Sequence, residues 1–139
     1  MKQGEGLINE LNGILESYLR DMDGDVVSAI VSDANGLPIV YKTLVNLDVN
    51  SLSALCALAI NYMQKISGET KLGDVEYIMV SYSGYVLYIE HIYGDLLLIA
   101  VAVRDVNMGL ITYVTSRYAE RISNLIKYSA LSAKDSNDW

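Results

Sequence analysis

From Gly6 to Arg20 apolar residues recur at helical spacing, with Leu7, Leu11, Ile14, Leu15 and Tyr18 on one stripe. Glu5, Glu10, Asn12, Glu16 and Ser17 occupy the polar positions around them. This pattern predicts a helix lying on a core with one face in water. Asp23-Gly24-Asp25 breaks it. Val26 to Ser32 is short and rich in β-branched residues, which predicts a strand. Asp33-Ala34-Asn35-Gly36 is a tight turn, since Asn-Gly takes positive φ at little cost. Leu37 to Lys42 then pairs back, and Pro38, lacking an N–H, places this strand at a sheet edge.

Asp48 or Asn50 caps a second helix to about Ile66, ended by Ser67-Gly68-Glu69-Thr70. Leu52, Leu55, Cys56, Ala59, Met63 and Ile66 form one apolar stripe on it, while Ala54, Ala57, Leu58 and Tyr62 occupy other faces. A helix apolar nearly all round has to be covered on more than one side, and a second copy of the chain supplies such a cover most simply. Strands are predicted at Val75 to Tyr82, Tyr85 to Tyr93 and Leu96 to Val103, joined at Ser83-Gly84 and Gly94-Asp95. The last has no polar position, the pattern of a central strand with both faces covered. Asp105 and Asn107 cap a final helix to about Tyr128, with its stripe at Ile111, Val114, Tyr118, Ile122 and Leu125. The order α-β-β-α-β-β-β-α predicts an α+β domain: one five-stranded antiparallel sheet with helices on both faces. One domain is expected over residues 5–131, followed by a polar tail, 132–139, that frays.

Charge and composition narrow the chemistry. Ten Lys and Arg against seventeen Asp and Glu leave a net charge of −7. Without a basic run such a chain makes a poor ligand for nucleic acid or an anionic membrane. There is no integral membrane segment and no apolar core of a signal peptide in Met1 to Gly6, so a cytoplasmic protein is expected. The one cysteine, Cys56, and the one histidine, His91, exclude multi-thiolate and His-pair metal sites. Asp21-Met22-Asp23-Gly24-Asp25 resembles the start of a calcium loop, but Val26 and Ser32 stand where that loop needs Gly and Glu. No nucleophile–base pair and no phosphate-cradling glycine loop is present, so no catalytic, cofactor-binding or metal-binding residue is assigned. The oddity is eleven Tyr with no Phe. Tyr77, Tyr82, Tyr85, Tyr88 and Tyr93 crowd the middle hairpins, and any that cluster on the surface mark a partner patch.

The stretch Val27-Ser28-Ala29-Ile30-Val31-Ser32-Asp33-Ala34-Asn35-Gly36-Leu37-Pro38-Ile39 resembles the first hairpin of roadblock (dynein light chain) domains. Asp48 with Leu52, Ala54, Ala57 and Leu58 is similar to that family's small-residue-rich second helix, and Asn107-Met108-Gly109 to the start of its last. The resemblance spans about Leu7 to Leu131 and is greatest to stand-alone prokaryotic members, among them the gliding-polarity GTPase regulators. It implies a profilin-like sandwich and a homodimer joined through the second helix and the strand after it. The corresponding interface residues are Leu52, Leu55, Cys56, Leu58, Ala59, Tyr62, Met63, Val75, Tyr77 and Met79. Lys71 and Glu76 are expected to decorate that edge, where charges also guard against pairing.

It further implies a non-enzymatic regulator of a small Ras-like GTPase, with stimulated hydrolysis as one form of that regulation. Family members that stimulate hydrolysis reposition the GTPase's own residues, and Arg20, Arg104, Arg117 and Arg121 match no arginine-finger motif. Two other readings stand beside this one. A dimeric scaffold would bind regardless of nucleotide, and a profilin-like sensor would need a tyrosine-lined ligand pocket.

Overall fold

The computed structural model describes residues 2–137, with side chains from residue 4 to residue 131. Its elements are α1 (Lys2–Met22), β1 (Val26–Ser32), β2 (Pro38–Thr43), α2 (Val49–Thr70), β3 (Tyr77–Ser81), β4 (Tyr85–His91), β5 (Leu97–Val103) and α3 (Met108–Asn137). All strand pairs are antiparallel, in the order β2-β1-β5-β4-β3. The all-apolar β5 is the middle strand, buried on both faces, and the Pro38 strand is an edge, as its missing N–H requires.

Strand alternation divides the core in two. Toward one face Ala29, Val31, Val40, Val86, Tyr88, Leu98 and Ala100 meet the apolar stripes of α1 and α3. Tyr18 and Thr115 join those helices by a buried hydrogen bond of 2.5 Å. Toward the other face Ile30, Leu87, Ile89, Leu97, Ile99 and Val101 meet α2 alone.

Element ends differ from expectation where side chains compete with the backbone. The α2 helix continues through Gly68 because the Thr70 hydroxyl donates to the Ile66 carbonyl (2.5 Å), and it stops at Lys71, which turns left-handed (φ 60°). The β3 strand starts late because the Val75 N–H donates to Gln64 Oε1 on α2 (3.2 Å). The β4 strand stops at His91 because the chain enters a 3₁₀ turn over Tyr93–Asp95, and the Ile92 N–H donates across the base of that turn to the Leu96 carbonyl (2.8 Å). The α3 helix passes Tyr128 and runs to Asn137, since Ala130, Leu131, Ala133 and Lys134 are good helix formers and no Gly or Pro interrupts them. The expected tail is thus helical from 132 to 137, and its last two residues lie outside those described.

The β1–β2 turn locks onto α2. Asp33 Oδ1 accepts from the Asn35 and Leu37 N–H groups, both at 2.9 Å. Gly36 stands at φ +86°, and a Cβ there would come within 2.6 Å of the Ala54 Cα and 2.8 Å of the Ser53 carbonyl oxygen. Gly24 has nearly the same backbone, φ +87°, but open space around it. Gly24→Ala should therefore cost only the left-handed strain, roughly 1–2 kcal/mol. Gly36→Ala adds a clash with helix backbone and should cost a further ~1–3 kcal/mol. Urea midpoints measured at matched protein concentration are expected to be lower for Gly36→Ala, and equal midpoints would contradict the docked turn.

Candidate partner-binding surface

The α2 helix begins at Asp48, whose carboxylate accepts from the Ser51 N–H (3.1 Å) and hydroxyl (2.8 Å). Those bonds hold the exposed carboxyl below its ordinary pKa, the backbone one contributing most. From this start the helix turns Val49, Ser53, Cys56, Ala57, Ile60 and Ser67 onto the sheet. The outward positions carry Leu55 (64% exposed), Leu58 (55%), Tyr62 (62%) and Ile66 (47%), with Met63 (43%) exposed on the adjoining flank. Lys65, its Nζ 5.3 Å from the Tyr62 ring centroid, is the only charge between Asp48 and Glu69. Each such apolar side chain is worth about 1.5–3 kcal/mol if fully buried, and a contiguous patch of them marks an interaction site.

Next to this patch β3 pairs only with β4, so its other edge is open. The structure does not bring every expected interface residue to one place. Leu55, Leu58, Tyr62 and Met63 share the outer surface of α2, with Leu52 and Ala59 half-buried on its flank. Cys56 does not belong there: it is 2% exposed and packs against the domain's own sheet. Its place on the apolar stripe misled because periodicity does not say which side of an all-round apolar helix meets the sheet. Val75 is half-buried just before β3. Tyr77 and Met79 point to the α1–α3 face, where Tyr77 stacks on Tyr88 (centroids 5.3 Å apart) and Met79 packs on the core. On β3 only Ile78 and Val80 face the α2 side. Lys71 is the cap of α2 and Glu76 precedes β3, so neither charge lies within the strand.

Ile66 and Leu72 are further exposed apolar residues here. Ile66 continues the helical stripe and was legible; Leu72, in a loop, has no periodicity to announce it. Among the hairpin tyrosines Tyr77, Tyr82, Tyr85 and Tyr93 are exposed, but Tyr88 is buried, donating to Glu90 Oε1 at 2.5 Å. Burial lifts Tyr88 beyond the ordinary tyrosine range, and the Glu90 bond adds to this.

A groove of about 640 Å³ lies on the other flank of α2, between the β1–β2 turn, the α2–β3 loop and the β4–β5 turn. His91 and Leu97 line it, together with Asn61 of α2. No group of three His, Cys, Asp or Glu among the described residues is placed to hold a metal ion. No helix among them is long and apolar enough to cross a membrane.

A family model for the Roadblock/LC7 domain matches residues 14–102. No curated protein matches by sequence. Among solved structures the chain is similar to an MglB with a tetrameric arrangement, at TM-score 0.80 and 16% identity over 88% of this chain and 92% of that one. It is similar to MglB of Myxococcus xanthus at TM-score 0.79 and 15% identity, over 88% and 91% of the two chains. Acanthamoeba castellanii profilin IA follows the same fold at TM-score 0.57 and 14% identity, over 81% and 96%. At these identities the likeness is one of fold.

The thiol gives a direct check on the orientation of α2. Burial pushes Cys56 up to about 11, so near pH 8 only about one thiol in a thousand is ionised. Dithionitrobenzoate should leave the native protein unlabelled over hours and react at once in denaturant. Rapid native labelling would mean that α2 presents Cys56 outward.

Proposed function

Because the chain belongs to the Roadblock/LC7 domain family, we propose that it is a cytoplasmic, non-catalytic homodimer that binds a small Ras-like GTPase and regulates it. The observation that carries the dimer is the outer face of α2: five large exposed apolar side chains beside the open edge of β3. Two copies joined there would cover both apolar helices and extend the sheet across the edge. Residues 5–131 act as one module in this reading, and the MglB-like fold supports the GTPase as its partner.

Regulation without an arginine finger fits the distribution of charge. Arg20, Arg117 and Arg121 belong to α1 and α3, on the sheet face opposite α2, and Arg104 follows β5. Arg117 is further held by Tyr113, donating to its hydroxyl at 3.0 Å. The module therefore acts on the GTPase by shape, positioning the partner's own catalytic groups.

Capture from a lysate of the source organism on the immobilised protein, with GDP or with a non-hydrolysable GTP analogue, tests the function. A Ras-like GTPase recovered with the analogue is the expected result, and single-turnover hydrolysis then measures whether its rate changes. Equal recovery with both nucleotides would favour a scaffold, and recovery of no GTPase would overturn the proposal.

The dimer has its own test. Leu55→Arg places a charge on a residue already exposed in the single chain, so folding should be untouched. In a packed interface an unpaired charge costs several kcal/mol. Light scattering should show the mass falling from twice 15.3 kDa to 15.3 kDa with an unchanged circular dichroism spectrum. A variant that stays dimeric would place the interface elsewhere.

A further inference from the structure

The groove beside α2 has a composition unlike the apolar surface next to it. Its walls carry the carboxylates of Asp74 and Asp95 and the side-chain amides of Asn35 and Asn61, with no lysine or arginine, over a floor that includes Ile60 and Leu97. Gln64 braces one wall, donating from Nε2 to Asp74 Oδ1 (3.3 Å) while its Oε1 accepts from the Val75 N–H. Asn61 and Gln64 also line the shallow cleft that runs along Leu58, Tyr62 and Lys65 on the outside of α2, so the two surfaces are continuous.

We propose that this groove receives an arginine side chain of the partner GTPase, docked beside α2 at the margin of the dimer face. The proposal rests on the functional reading above, in that a GTPase is the partner that brings the side chain. The choice of arginine rests on the groove itself. Two carboxylates in a chain of net charge −7 attract a cation. A guanidinium offers five donors in a plane, matching acceptors spread over several walls, and it sheds water onto an apolar floor more readily than an ammonium. At about 640 Å³ the groove is roomy enough for such a side chain with its flanking backbone. On an α-helix Asn61 points about 60° from Leu58 and about 160° from Met63, so the groove lies at the margin of the dimer face and not beneath its centre.

Two experiments separate this proposal from the one it rests on. In the first, the isotope-labelled protein is titrated with N-acetyl-arginine amide or with its neutral isostere, N-acetyl-citrulline amide, and followed by NMR. Saturable shifts are expected at the side-chain amides of Asn35, Asn61 and Gln64 and at the Asp95 backbone, with the arginine compound only. They should vanish in the double variant Asp74→Asn/Asp95→Asn and, as a single-site control, in Asp95→Lys. Equal shifts from both compounds, or none at the groove, would overturn the proposal.

In the second, a GTPase recovered by capture is bound to the wild type and to each variant. At least a tenfold loss of affinity is expected, with the dimer mass unchanged. Unweakened binding would overturn the arginine proposal while leaving the GTPase reading intact. Failure to recover any GTPase would overturn that reading and, with it, the docked source of the arginine, while the amide titration still decides what the groove binds.

Discussion

The contact between Gly36 and the backbone of α2 at Ser53 and Ala54 sets the position of everything that follows. A turn held by Asp33 delivers a residue with no side chain to a place where no Cβ fits, and so fixes how near and at what rotation α2 crosses the sheet. Once Ser53 and Ala57 face the strands, helical geometry leaves Leu55, Leu58 and Tyr62 nowhere to go but outward. The hairpin motif is thus a packing device whose consequence is an unburied apolar face.

The two sides of the sheet manage their helices differently. On one side α1 and α3 cover each other as well as the strands, and they meet water with charged residues such as Glu10, Glu16, Arg117 and Glu120. On the other side α2 lies alone, with one lysine among its outward positions. The first arrangement is complete in a single chain. The second gains most of its missing burial only when another surface arrives, which is why the functional reading is placed there and not at the tyrosine-rich hairpins.

How much of this was legible beforehand follows from what periodicity can encode. Element order, the edge position of the Pro38 strand and the central position of β5 are local signals, and the structure agrees with each. The rotation of α2 is not local. Its apolar residues go nearly all round, so the sequence does not point to one inner side, and Cys56 was grouped with residues that face the other way. Tyr77 and Met79 were assigned to the joining edge strand and lie on it, with strand alternation turning their side chains to the α1–α3 face. The groove was invisible in the sequence because its walls come from four separate segments that only the fold brings together.

The central claim is that the outer face of α2 and the edge of β3 are covered together by a second copy. Amide hydrogen exchange reads this directly at the β3 N–H groups that point away from β4. At micromolar concentration they should be protected nearly as well as the amides between β4 and β5, and the protection should fall on dilution. Fast exchange of those amides at every concentration would contradict the account, because an unpaired edge has nothing to shield it.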